Sequence, residues 1–258
     1  MVVFLYNLVM NVEKLLNTII NAGMMLIESG AEINRVEETM VRMCQSYEEV
    51  DYADSYVTLT GIMFSLTVND ETKTRICRVR SGEVNLDRID KINALSRRAC
   101  VEKLSVDELA DELDKIKREP HYSFFVTTLF GAVGAAGFAL FFDGNFLEMI
   151  MCFFVGILIR ICGKLFMRYH LNSFLNTALC AGIAAFMVMW IHKLIPSTNA
   201  DIMLISGFML LVPGLAITNA IRDTIAGDYI SGGARATDAF LCAVAIAMGA
   251  GFVLRFWM

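Results

Sequence analysis

Disulfide frames, zinc sites and phosphate loops leave short spacing signatures, and this sequence lacks all three. Its seven cysteines (Cys44, Cys77, Cys100, Cys152, Cys162, Cys180, Cys242) are scattered without a C-x-x-C pair, and four lie inside apolar stretches. They read as reduced packing residues. His121, His170 and His192 are equally dispersed, each beside the end of an apolar run, which favours interfacial placement over metal ligation. A basic excess is missing too: the chain carries a net charge of -5, so nothing provides the positive footprint that phosphate backbones require, and nucleic acid is excluded as a partner. Residues 1–121 contain almost no apolar run of membrane-crossing length.

The second half has what the first lacks. A bilayer core of about 30 Å needs roughly 20 apolar residues of helix to cross it. Runs of that kind occur at Tyr122 to Phe142, Asn145 to Phe166, Ser173 to Leu194, Ala200 to Ile221 and Ala234 to Trp257. Five in succession, separated by short polar links, exceed what a soluble core of this size can pack. The charge divides at the same place, with residues 1–121 at net -6 and residues 122–258 at net +1. The expected fold is a multi-pass α-helical membrane protein with five transmembrane helices and an N-terminal cytoplasmic α+β domain, divided at 1–121 and 122–258. The apolar start, Met1 to Met10, has no basic flank and no small-residue cleavage site. It reads as the beginning of an amphipathic helix that packs on the soluble domain or lies on the membrane, not as a cleaved signal.

Within the soluble half, apolar residues at Val12, Leu15, Leu16, Ile19, Ile20, Met24 and Ile27 recur at helical spacing before Gly30. A second helix is expected over Glu32 to Ser46, with Glu32, Arg35 and Glu38 on one face, where they can pair with each other or serve as a docking contact. Ser55 to Val68 and Thr74 to Arg80 read as paired strands around the Asn69-Asp70 turn. Two further helices follow over Asn85 to Val101 and Ser105 to Arg118, the latter opened by a Ser105–Glu108 capping box. No Ser/His/Asp set or Gly-rich loop accompanies them, so the reading is of a non-enzyme without a cofactor.

The membrane half carries polar residues where they are costly. Arg160 lies inside the second run, where it either snorkels to head groups or faces inward and holds a carboxylate. Pro213-Gly214 interrupts the fourth: proline removes a backbone donor and clashes with the preceding turn, so a kink or break is expected. Broken helices at membrane depth are tolerated where the freed backbone faces protein or a watery cavity. Asn219, Arg222, Asp223, Asp228, Arg235 and Asp238 follow closely, and Arg235 and Asp238 share a face at the start of the fifth run.

At these residues the sequence resembles the threonine/serine exporter (ThrE) family, and within it the YjjP-type large subunit of split exporters. The resemblance is carried by Gly30-Ala31-Glu32 with Arg35-Val36-Glu37, by Arg78-Val79 before Asn85-Leu86, and by the long block from Leu211-Val212-Pro213-Gly214 through Thr218-Asn219-Ala220-Ile221-Arg222-Asp223, Gly227-Asp228, Ser231-Gly232 and Arg235. It extends from about Asn11 to the C-terminus. It implies secondary export of small amino acids, or in the split form of a dicarboxylate such as succinate, driven by the proton gradient. A YjjB-type small membrane subunit would supply the remaining spans as a hetero-oligomer, which agrees with the odd span count of this chain. The expected solute-binding residues are then Arg222, Arg235 and Arg160, which offer a carboxylate parallel charge-assisted hydrogen bonds, with Asn219 as a neutral donor and Pro213 and Gly214 shaping the cavity. Asp223, Asp228 and Asp238 are expected as proton carriers or arginine partners. Two other readings compete. A membrane-tethered scaffold would need only one span, and an intramembrane aspartyl protease would need a second aspartate on another span to match Asp223 and Asp228.

Basic residues are retained on the cytoplasmic side. Lys115, Lys117 and Arg118 precede the first run, Lys164 and Arg168 follow the second, and Arg222 and Arg235 lie between the fourth and fifth. The soluble half is therefore expected in the cytoplasm of a bacterial inner membrane, with the C-terminus outside. A cysteine appended after Met258 should react with an impermeant thiol label in intact cells; reaction only in broken cells refutes this orientation.

Overall fold

The computed structural model describes residues 2–80, 82–120 and 122–257, with side chains from residue 12 onward. His121 and the face presented by the first ten residues lie outside the described part. Two compact units emerge, one comprising Met1–Pro120 and Thr218–Arg235, the other His121–Ile217 and Ala236–Met258. The sequence places a single cut between residues 121 and 122, and 218–235 is the stretch beyond that cut that groups with the first unit.

The first unit begins with α1 (Val2–Glu28) and α2 (Ile33–Gln45), followed by an antiparallel sheet of β1 (Tyr52–Thr58), β2 (Gly61–Val68) and β3 (Glu71–Arg78), then α3 (Leu86–Glu102) and α4 (Val106–Arg118). Alternation along β2 sends Ile62, Phe64, Leu66 and Val68 into the core, where they meet Leu15, Leu16, Ile19 and Leu26 of α1. The expected first strand is two. Leu59 and Thr60 carry no turn-forming chemistry, yet they reverse the chain so that Thr58 pairs with Gly61. Asn69 and Asp70 do form the expected turn, both with positive φ (51° and 62°), as a primed hairpin requires. Ser105 and Glu108 complete the expected capping box of α4. A glycine ends α1: Gly30 (φ 86°) donates to the Ile27 carbonyl at 2.9 Å, and Ala31 donates to the Leu26 carbonyl at 3.0 Å. This is a Schellman closure, which only a left-handed residue permits cheaply.

The second unit holds α5 (Phe124–Phe141), α6 (Phe146–Arg168), α7 (Ser173–Leu194), α8 (Ala200–Phe208) and most of α10 (Tyr229–Leu254). The sequence predicts five spans, but among the described residues four helices are long and apolar enough to cross a membrane: α5, α6, α7 and α10. The run from Ala200 to Ile221 is not one helix. It stops at Phe208, turns through Met209–Val212 and restarts after Pro213 as α9 (Gly214–Ile225), because proline cannot continue the ladder. Small residues bring the helices close: Ala132 and Ala135 of α5 face Gly156 of α6. The carboxylate of Glu148, 2% exposed, accepts from the backbone of Asn145 at 2.8 Å and of Asn199 at 2.6 Å, tying the starts of α6 and α8 together. Interfacial chemistry marks both ends of the bundle. Lys164 lies over the Phe124 ring at 3.7 Å, and at the other end Lys193 lies over Trp257, which packs edge-on against Trp190.

A Cβ on Gly249 would fall 1.9 Å from the Ala178 carbonyl oxygen, so α7 and α10 can approach this closely only at a glycine. Gly249→Ala should cost about 1–3 kcal/mol, as overpacking does. That corresponds to a fall of roughly 2–10 °C in the unfolding midpoint of the detergent-solubilised protein. Gly251→Ala, where nothing stands within 4 Å, should leave the midpoint level or slightly raised.

Candidate functional site

The charged block that follows the proline break faces inward within the first unit. α9 is amphipathic in reverse: Asn219 and Asp223 are buried, while Ile217, Ile221 and Ile225 are exposed, Ile225 at 82%. An apolar stripe facing out with polar side chains facing in is the pattern of a segment in contact with lipid or another membrane protein.

The polar face closes on the turn between α1 and α2, one residue after another. Asn219 Nδ2 donates to the Gly30 carbonyl at 2.9 Å. Arg235 Nη2 donates to the Ala31 carbonyl at 2.6 Å. Arg222 Nη1 donates to the carboxylate of Glu32. The Ile33 amide donates to Asp223 Oδ1 at 3.2 Å. The Schellman closure turns these backbone groups outward, which is why the glycine matters here. Glu32, expected to share a face with Arg35 and Glu38, pairs with Arg222 instead.

Arg235 and Asp223 form the buried centre of this arrangement, with side chains 10% and 1% exposed and Nε 2.9 Å from Oδ2. The two atoms are in ionic contact but not aligned as a hydrogen bond, and neither has another partner. Burial pushes the Asp223 carboxyl above its ordinary value, against the opposing pull of the Arg235 guanidinium and the Ile33 amide. Glu37 lies nearby on α2, with Oε1 accepting from the Val57 amide at 2.8 Å; burial raises its pKa as well, and the charges of Asp228 and Asp54 add to the shift. Asp228 caps the start of α10 by accepting from the Ser231 amide at 3.2 Å, and its other oxygen and the Ser231 hydroxyl are buried without a partner.

Five of the residues singled out from sequence thus share one unit: Asn219, Arg222, Asp223, Asp228 and Arg235. Pro213 and Gly214 stand at the helix break. Arg160 and Asp238 belong to the other unit, both exposed and with no ion partner among the described residues. Sequence reasoning missed the acceptors in the Gly30–Ile33 turn, because they lie about 190 positions away and are mostly backbone groups. Glu37 and Ser231 enter the sequence reading only as parts of the resemblance and are given no role there.

Removing one member of the buried pair leaves the other charged and alone. Arg235→Leu should cost roughly 3–5 kcal/mol, whereas the double replacement with Asp223→Leu should recover most of that loss. Thermal unfolding of the four variants in a double-mutant cycle measures the difference; a double variant no more stable than Arg235→Leu refutes the pairing.

The family model of ThrE, described as "Putative threonine/serine exporter", matches residues 17–257. The "Probable succinate transporter subunit YjjP" of Escherichia coli (strain K12) is 21% identical over 243 residues, covering 92% of this chain and 93% of the relative. No solved structure matches. With the family model spanning nearly its whole length and four apolar helices of crossing length, this chain is a multi-pass membrane protein belonging to the ThrE family.

Proposed function

We propose that the chain is the large subunit of a split secondary exporter for a small carboxylate metabolite, an amino acid such as serine or threonine or a dicarboxylate such as succinate. The observation that carries this reading is the set Asn219, Arg222, Asp223 and Arg235, which already holds a carboxylate, two carbonyls and an amide of the chain itself. The carboxylate held by Arg222 is the group that a small amino acid or dicarboxylate presents. Arg222, 59% exposed, is the accessible cation and the first contact for a solute carboxylate; Arg235 backs it from a buried position, and Asn219 supplies a neutral donor. Pro213 and Gly214, at the break between α8 and α9, shape the cavity in this reading.

Proton coupling falls to Asp223 and Asp228, each with a buried oxygen that lacks a hydrogen-bond partner; Asp238, exposed in the second unit, is the third acid of the reading. The Asp223 carboxyl, held above its usual value by burial, binds and releases a proton nearer neutrality than a solvated one does. The relative of similar length is named as a subunit, which supports a hetero-oligomer with a small, YjjB-type membrane partner. In this reading the N-terminal unit is cytoplasmic and the C-terminus outside in a bacterial inner membrane, as the basic residues beside the apolar runs favour.

Cells expressing both subunits, loaded with labelled serine, threonine and succinate, test this directly. Arg222→Ala should lower efflux of the true solute about tenfold or more, as loss of a charge-assisted hydrogen bond does, with Arg222→Lys intermediate. Unchanged efflux at normal protein levels removes Arg222 from the pathway.

A further inference from the structure

Glu32 stands at the N-cap position of α2 and does not cap it. An N-cap side chain ordinarily accepts from the second or third amide of its helix, here those of Asn34 and Arg35, and aspartate, asparagine and serine have the right reach. Glutamate is one methylene longer. Its carboxylate turns away from the helix and accepts from Arg222 Nη1. The start of α2 is served from elsewhere, since Ile33, its first residue, donates to Asp223 Oδ1 at 3.2 Å. Glu32 is thus released from local duty. Among the described residues its carboxylate has one bond, to the side chain that the exporter reading makes the first contact of a solute carboxylate.

Arg222 has room for a second carboxylate. Its side chain is 59% exposed, and only Nη1 is engaged among the described residues, although a guanidinium carries five donors. The existing pair is also easily opened. Ion pairs between exposed side chains shift an equilibrium about fivefold at most, because water screens them and two long side chains must be held still. By contrast, opening the Arg235–Asp223 pair strands a buried charge. A displaced Glu32 has somewhere to go: the Asn34 and Arg35 amides lie in its own helix's first turn, where the dipole favours a carboxylate.

We propose that Glu32 is a tethered competitor, a carboxylate of the chain that holds Arg222 when no solute is present and yields it to the carboxylate of the solute. The exchange leaves neither charge bare. The solute first takes the free donors of Arg222; Glu32 then swings onto the α2 amides, and the solute closes a two-pronged contact. Apparent affinity falls by the fraction of time that Arg222 is already taken, so Glu32 sets half-saturation higher than an unpaired arginine would and eases release of the bound solute. The proposal rests on the exporter reading.

The full chain, co-expressed with a YjjB-type small subunit and placed in nanodiscs, is titrated with serine, threonine and succinate while the unfolding midpoint reports half-saturation. Glu32→Gln should lower the half-saturating concentration of the true solute about two- to fivefold. Glu32→Asp should lower it as well, because it keeps the charge while its shorter side chain caps α2 and leaves Arg222 free. In an Arg222→Ala background, where half-saturation is already about tenfold higher, Glu32→Gln should change it no further. Half-saturation that stays level or rises in Glu32→Gln overturns the proposal, a rise meaning that Glu32 itself touches the solute. So does a Glu32→Asp chain that matches wild type, since a nearby negative charge is then the whole effect; this variant also stands in should Glu32→Gln fail to fold. In both cases a raised half-saturation on Arg222→Ala leaves the exporter reading in place. A half-saturation unmoved by Arg222→Ala, or a wild-type chain that none of the three solutes saturates, overturns both.

Discussion

Placing a guanidinium where water cannot reach it costs several kcal/mol unless its charge and its donors are both answered. In this protein the answer is distributed. Asp223 supplies the opposite charge to Arg235, and the Ala31 carbonyl takes one of its donors. Asp223 is itself held by the Ile33 amide. The first unit's closure over the Gly30–Ile33 turn depends on this chain of contacts, and Asn219 and Arg222 add the flanking bonds. A buried charged pair is a weak source of net stability but a strong source of geometric selectivity, because few arrangements satisfy every member. The arrangement that does so here also presents groups suited to a small carboxylate.

Local chemistry was readable from the sequence where it acts within a few residues. The Asn69-Asp70 turn, the capping box at Ser105 and the interruption at Pro213 each follow from a side chain acting on its own neighbourhood. Leu59-Thr60 shows the limit: nothing in either residue favours a reversal, and the turn exists because β1 and β2 are held in register by the core beneath them. The five-helix count was not reproduced for a different reason. Hydropathy averages over Ala200 to Ile221 and cannot see that one proline divides the run into two short helices.

The candidate site was legible on one side only. Arg222, Asp223 and Arg235 stand out as charges close to apolar sequence, whereas their partners are backbone groups of a turn in the other half, which no side-chain pattern announces.

The contacts that close the first unit join residues separated by 189 to 204 positions. During synthesis the N-terminal 120 residues emerge first, but their final partners arrive only after α5 to α8 have been made. Until then the Gly30 and Ala31 carbonyls and the Ile33 amide must be satisfied by water or by a helper protein. The unit that starts at the N-terminus is thus among the last to reach its finished form, since it must wait for residues 218–235 to be made.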